Sequence, residues 1–271
     1  MSDPLPGFWT DYGVPASVDW CEPNYVYTPY VAELWNTVSS LAIFIAAALG
    51  LALALRQRHR PEPRFLLGFL GLSVIGLGST AFHGTLLKLP QATDELPMVW
   101  LSLLFVYCLR FRAGSAAPDD LAEARRRRQW ALSLTAYASA FTAAYFTLES
   151  YFLFFIATYA SIVGYIVVQS WVVAHRKHQT PMFRRLYWAS SGAYLGGLCL
   201  MWIPERSFAC DAPFQSIQPH AWFHLTSLVG TYTWILFALY DRWTLRQAEP
   251  ALSLGPPVPM VQATETPREP G

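Results

Sequence analysis

Two pairs of residues in this chain have the spacing of one helical turn and the side chains to do chemistry. His220 and His224, in "PHAWFHL", are four positions apart, as are Ser79 and His83 in "STAFHGTLLKLPQATDELP". Residues four apart lie on one helix face. Asp94 and Glu95 follow shortly after the second pair. His-x3-His on a helix is a two-armed metal clamp. A third histidine from another helix, with water completing a tetrahedron, gives the open zinc geometry of catalytic sites. Zinc lowers the pKa of bound water to about 7 and polarises a carbonyl oxygen. A neighbouring carboxylate can take the water's proton and hand it to a leaving group. His83, His220, His224 and Asp94 together therefore point to a zinc-dependent hydrolase. The competing reading makes His83 a hydrogen-bonded core residue and Asp94 a helix cap. Glu95 fits the cap better, in the favourable first turn of the third helix, which leaves Asp94 for chemistry.

A different donor set precedes these. "DWCEPNYVYTPYVAELWN" supplies Asp19, Glu22, Asn24 and Glu33. Three carboxylates and an amide oxygen are hard ligands that suit Ca²⁺ better than zinc. Their spacing is not that of an EF-hand loop. The alternative is an ordinary acidic segment in which Glu33 is a helix-start charge.

The elements that hold these residues follow from hydropathy. Of 271 residues, 54% are hydrophobic and 14% charged, against about 25% charged in a soluble domain. Mean hydropathy is +0.27. Apolar runs recur at about 34–55, 65–86, 95–111, 129–148, 151–173, 186–203 and 220–240. Each approaches the ~20 residues a helix needs to cross a bilayer. Seven such runs leave too little polar surface to coat a soluble protein. Backbone within a bilayer must satisfy its own hydrogen bonds, so the runs are expected to be helices. The predicted fold is all-α, a membrane bundle of seven transmembrane helices. Ionisable groups at membrane depth are costly and face a partner or a site, and this placement puts His83, Asp94, His220 and His224 at one level. A hydrolase at that depth would act on a lipid ester or amide.

Charge sets the expected orientation. The loop 56–64 holds Arg56, Arg58, Arg60 and Arg64. The loop 110–128 holds Arg110, Arg112 and the run Arg125 to Arg128, and the loop 174–185 holds Arg176, Lys177, Arg184 and Arg185. Arg242 and Arg246 follow the last run, while the alternate side has only Lys88 and Arg206. Basic loops face the cytosol, so the C-terminus is expected there and the N-terminus in the lumen or exterior. Arg125 to Arg128 is read as a topology signal rather than a nucleic-acid patch, and the net charge of +1 gives no support for nucleic acid as a partner. His59, His175 and His178 fall in basic loops and are read as solvated. Residues 1–33 lack a charged n-region and an apolar core, so the first span is expected to serve as the insertion signal. The segment 34–247 forms one domain. Residues 248–271, rich in proline and aperiodic, are expected to be a disordered cytosolic tail.

Of four cysteines, Cys108 and Cys199 fall inside spans as packing residues. Cys21 and Cys210 share the non-cytosolic side, where disulfides persist, and are a candidate pair.

The motifs "DWCEPNY", "AELWNTVSS", "GSTAFHGTL", "DELPM" and "HAWFH", in this order, resemble the alkaline ceramidase family over about residues 17–240. The resemblance implies a seven-helix hydrolase that cleaves the amide of ceramide to a sphingoid base and a fatty acid, in the membrane of the endoplasmic reticulum or Golgi, or the plasma membrane in a bacterium. It implies zinc on His83, His220 and His224, Asp94 as base and then acid, and Ser79 beside the zinc. Tyr159, in "IATYASIVGY", matches a family tyrosine at the oxyanion. The implied calcium ligands are Asp19, the backbone carbonyl of Trp20, Glu22, Asn24 and Glu33. A family cysteine at the place of Cys210 favours the bridge to Cys21. Two departures are Pro23, where the family often has an acid, and "WIPE", ending in Glu205 where the family has aspartate.

Two other classes compete. A seven-helix receptor of the same superfamily, similar to adiponectin and progestin receptors, carries similar histidines, but the "DWCEPNY" group and the arginine distribution oppose it. A transporter would show broken Gly/Pro helices in paired halves, and no such pairing is evident.

Overall fold

The computed structural model describes residues 5–112, 121–176, 179–207, 210 and 212–265. The expectations for Lys177, His178 and the last six residues of the tail lie outside them. The chain is mostly helical: α1 (Leu34–Arg56), α2 (Pro63–Thr85), α3 (Lys88–Arg110), α4 (Leu121–Thr147), α5 (Tyr151–Ala174), α6 (Pro181–Gly197), α7 (Ile203–Ser207), α8 (Ala212–Ser216) and α9 (Pro219–Leu245). Among the described residues, five helices are long and apolar enough to cross a membrane, namely α1, α2, α3, α5 and α9. α4 carries Arg125 to Arg128 within its early turns, and α6 has 17 residues.

The residues form two compact units. The first comprises Met1–Ala48, Gly71–Met98 and Trp188–Tyr232. Its N-terminal segment is held by backbone bonds to the end of α2: Ala32 N–H donates to Gly84 O and Glu33 N–H to His83 O, both at 3.0 Å. Ser17 N–H donates to Gln91 Oε1 of α3 at 2.9 Å. Glu22 supplies the missing cap of α1, accepting from the backbone N–H of Trp35 at 2.7 Å and of Asn36 at 2.9 Å. Those donors lack intrahelical acceptors, so a carboxylate from outside the helix both satisfies them and complements the positive end of the dipole.

The third helix begins earlier than its hydropathy indicates. α3 starts at Lys88, after a left-handed turn at Leu86 (φ 52°). Asp94 and Glu95 therefore sit inside the helix rather than opening it. The expected cap role of Glu95 is overturned: its carboxylate accepts from Gln91 Nε2 at 2.8 Å, one turn back. Proline lacks an N–H, so Pro97 leaves the carbonyl of Thr93 without its helical donor. Gly78 of α2 faces that carbonyl, and a Cβ there would lie 2.1 Å from Thr93 O. Glycine thus permits the backbone approach that puts the next residues, Ser79 and Asp94, side by side. Past α6, Leu198–Trp202 form a π-helical turn. Such a turn rotates the residues after it, and Glu205 of α7 ends up buried, at 5% exposure.

A disulfide joins Cys21 to Cys210, with Cα atoms 5.3 Å apart. It ties the N-terminal segment to the chain just ahead of α8.

The second unit comprises Leu49–Leu70, Val99–Tyr187 and Thr233–Gly271. Phe183 and Phe237 stack at 4.3 Å in its core. A partly buried ion network lies in the same unit. Glu62 pairs with Arg64 at 2.9 Å and with Arg242, and Arg112 donates through Nε to Asp241 at 2.8 Å. The tail differs from the disorder expected of it. β1 (Pro250–Ser253) and β2 (Met260–Ala263) pair antiparallel, Pro250 opposite Ala263 and Ser253 opposite Met260. Ala248 and Val261 are fully buried, and Val261 O accepts from Gln57 Nε2 at 3.0 Å. The average over a proline-rich composition conceals a short hairpin whose second strand supplies the buried Met260 and Val261.

Candidate active site

The three histidines come together within the first unit. His83 lies near the end of α2, and His220 and His224 lie in the first two turns of α9. His83 is fully buried, and His220 and His224 nearly so. Ring centroids are 5.1 Å apart for His83 and His220, 4.8 Å for His83 and His224, and 4.5 Å for His220 and His224. One ring nitrogen from each lies within 4.8 Å of the other two, and this is the one group among the described residues so gathered from histidine, cysteine and acidic side chains.

Each imidazole is engaged at Nδ1. The Nδ1 of His83 meets Glu33 Oε2, that of His220 meets Glu205 Oε2 at 3.1 Å, and that of His224 meets Ser39 Oγ at 2.9 Å and Ser40 Oγ at 3.2 Å. A carboxylate acceptor fixes the proton on Nδ1 and leaves the Nε2 lone pair outward, the arrangement typical of metal-ligating histidines. His83 Nε2 is buried and has no hydrogen-bond partner. An orphaned buried nitrogen is rare, and a cation between the three rings would satisfy it. The donor set therefore fits a metal ion, and three imidazoles suit zinc.

Asp94 and Ser79 complete the cluster. Both are buried, and the Ser79 hydroxyl donates to the Asp94 carboxylate. Ser79 Oγ also lies 2.9 Å from Ser40 Oγ. Tyr159 is in the second unit, half-buried and stacked on Phe155 at 5.6 Å.

The acidic N-terminal residues adjoin the histidines. Glu33 accepts from Trp20 N–H at 3.1 Å and from Asn36 Nδ2 at 3.2 Å besides His83. Asn24 Nδ2 donates to both oxygens of Asp19, at 3.1 and 3.0 Å, while Asn24 Oδ1 is buried without a partner. Burial pushes the Glu22 carboxyl above its ordinary value, the N–H groups of Trp35 and Asn36 pull it back, and the nearby Glu33 adds to the rise. Clustered carboxylates with an orphaned amide oxygen fit a hard cation such as Ca²⁺. Trp20 stacks on His220 with ring centroids 3.7 Å apart, and its neighbour Cys21 donates its N–H to Glu205 Oε1 at 3.1 Å.

A family model described as ceramidase matches residues 13–255. The chain belongs to the ceramidase family. Alkaline ceramidase 3 of the mouse is 33% identical, covering 87% of this chain and 86% of the relative. Alkaline ceramidase of Arabidopsis thaliana is 27% identical, covering 89% of each, and alkaline ceramidase YPC1 of Saccharomyces cerevisiae is 27% identical, covering 86% of this chain and 78% of the relative. In this ceramidase chain, sequence reading had no role for Asn36, Ser39, Ser40 or Glu205. The serines follow Asn36 at helical spacing on α1, which marks a shared face but not the histidine it meets.

Proposed function

We propose that this ceramidase-family enzyme hydrolyses the N-acyl amide of ceramides to a sphingoid base and a free fatty acid, at a zinc centre held by His83, His220 and His224. The observation that carries the metal reading is the buried, partnerless Nε2 of His83 among two further imidazoles with Nδ1 engaged. The substrate class rests on the family and its relatives. A buried ionisable cluster in a chain rich in membrane-length helices fits a lipid.

When bound, zinc would supply a Lewis acid that acidifies a water molecule and polarises the amide carbonyl. The chain's own residues do the rest. Asp94 takes a proton from the attacking water as oxygen bonds to the acyl carbon. It delivers that proton to nitrogen as the C–N bond breaks, so that the water is divided between the two products. Ser79, beside Asp94, orients the water or the developing oxyanion. Glu33 and Glu205 hold two of the rings in register. Asp19, the carbonyl of Trp20, Glu22, Asn24 and Glu33 would hold Ca²⁺ and fix the N-terminal segment against α1. The N-terminus faces the lumen or exterior and the C-terminus the cytosol, in an endoplasmic reticulum or Golgi membrane, with 34–247 as the seven-helix catalytic domain.

The test is release of fatty acid from a defined ceramide by purified protein and by Asp94→Asn. General acid–base assistance contributes about 10²- to 10⁴-fold, and a loss in that range with metal content unchanged is expected. Full activity in Asp94→Asn would remove Asp94 from the chemistry, and no release by the wild-type protein would move the substrate away from ceramide.

A further inference from the structure

We infer that Ser40 of α1 is a positioning residue for this centre, holding His224 with its Nε2 lone pair outward and at the same time fixing the hydroxyl of Ser79. The inference rests on the reading of His83, His220 and His224 as metal ligands.

Proton bookkeeping on three neighbouring residues carries it. Ser39 and Ser40 both donate their hydroxyls to the backbone carbonyl of Asn36, at 3.0 and 2.7 Å. Serine commonly bonds back to a carbonyl three or four residues earlier in a helix. A hydroxyl has one proton and two lone pairs, and with both protons directed at Asn36 O rather than at the ring, each serine offers a lone pair to His224. Both oxygens face His224 Nδ1, at 2.9 and 3.2 Å. Two acceptors there require a donor, so the proton of neutral His224 sits on Nδ1 and the lone pair on Nε2. His83 and His220 are oriented by carboxylates. His224 is oriented by two hydroxyls and by the Asn36 carbonyl behind them, which add no further charge to the buried cluster.

Ser40 reaches one residue more than Ser39. Its oxygen is 2.9 Å from Ser79 Oγ; the Ser79 proton goes to the Asp94 carboxylate, so across this contact Ser40 is the donor, sharing its proton between Asn36 O and Ser79 Oγ. Ser40 thereby holds Ser79 Oγ with its own proton directed at Asp94. Asn36, Ser40 and Ser79 are at most 2% exposed, so bulk water does not stand in for a lost partner. Unmade hydrogen bonds at buried groups carry their full desolvation cost. One α1 residue thus sets both a ligand on α9 and a hydroxyl on α2.

The two serines make the test. Full-length protein purified in detergent is stripped of metal and titrated with Co²⁺, whose visible bands report ligand geometry, and is separately loaded with zinc for ceramide hydrolysis. The wild type is expected to take up Co²⁺ at one per chain. Loss of a group that orients a ligand costs about 10- to 100-fold in metal affinity or activity. Ser40→Ala is expected to bind Co²⁺ weaker by that factor with shifted bands, and at saturating zinc to keep its KM while kcat stays about 10-fold down. Ser39→Ala, which leaves Ser79 its partner, is expected to weaken Co²⁺ and to lose less kcat at saturating zinc than Ser40→Ala. Ser40→Thr keeps the hydroxyl and restores both. Ser40→Cys, a weaker acceptor, shows an intermediate loss and serves if Ser40→Ala does not accumulate. Wild-type Co²⁺ affinity and bands in Ser40→Ala, or identical behaviour of Ser39→Ala and Ser40→Ala at saturating zinc, would overturn the inference. A wild-type chain that takes up no metal would overturn both it and the metal reading beneath it.

Discussion

Glu205 accepts from His220 Nδ1 at 3.1 Å through one carboxylate oxygen and from the backbone N–H of Cys21 at 3.1 Å through the other. A single side chain therefore orients a ring of the histidine cluster and anchors the N-terminal segment next to the disulfide. Glu205→Gln retains the shape but offers a weaker acceptor to Nδ1–H. We expect metal affinity to fall about 10- to 100-fold, as for other groups that orient a ligating histidine. Metal titration of the purified variant checks it, and unchanged affinity would mean that His220 is held by Trp20 stacking alone.

The Cys21–Cys210 bridge closes a loop of 189 residues. Removing a native disulfide typically costs about 2–4 kcal/mol. Cys21→Ser is expected to lower the unfolding midpoint in detergent, and to lower metal affinity as well because Cys21 N–H also holds Glu205. Reduction of the wild-type protein should reproduce both effects. A stability loss without a metal effect would separate the bridge from the site.

Much of this was legible in the sequence. His-x3-His at 220 and 224 and the Ser79 to His83 turn follow from helical spacing alone, and hydropathy located the helices that carry them. Other features were not legible for reasons of register. The start of α3 was hidden because "KLPQATDE" is polar, yet Pro90 is tolerated in a first turn and the following residues continue as helix. Glu205 meets His220 only after the π-helical turn at Leu198–Trp202, which no hydropathy pattern announces. The bond from Glu33 to His83 joins residues 50 apart in sequence. The hairpin of 250–263 escaped because its strands are four residues each, shorter than any window that would detect alternation.

Calcium should matter to the N-terminal segment. Asp19→Ala, or chelation of calcium from the wild-type protein, is expected to reduce activity and expose the segment to proteolysis. Burial raises the Glu22 carboxyl, so protons bind it at a pH where an exposed glutamate is already ionised. Calcium affinity is accordingly expected to fall as the pH drops, beginning above the ordinary carboxylate range. Calcium-binding curves at several pH values test this, and activity indifferent both to calcium and to Asp19→Ala would remove the role.

The ion network of the second unit makes a separate prediction. Asp241 is nearly buried and bonds Arg112 through both oxygens. Breaking a buried pair from one side strands the other charge and costs about 3–5 kcal/mol. Asp241→Asn is expected to lower thermal stability in detergent markedly while zinc content in the surviving folded protein stays at the wild-type level. Equal stability would show that the Arg112 guanidinium finds other acceptors.

The most direct measurement is metal content and ceramide hydrolysis on one purified sample, beside His220→Ala/His224→Ala. About one zinc per wild-type chain, with metal and fatty acid release both lost in the variant, is the expected result. No zinc in the wild type, or hydrolysis that survives in the variant, would contradict a catalytic metal centre at these histidines.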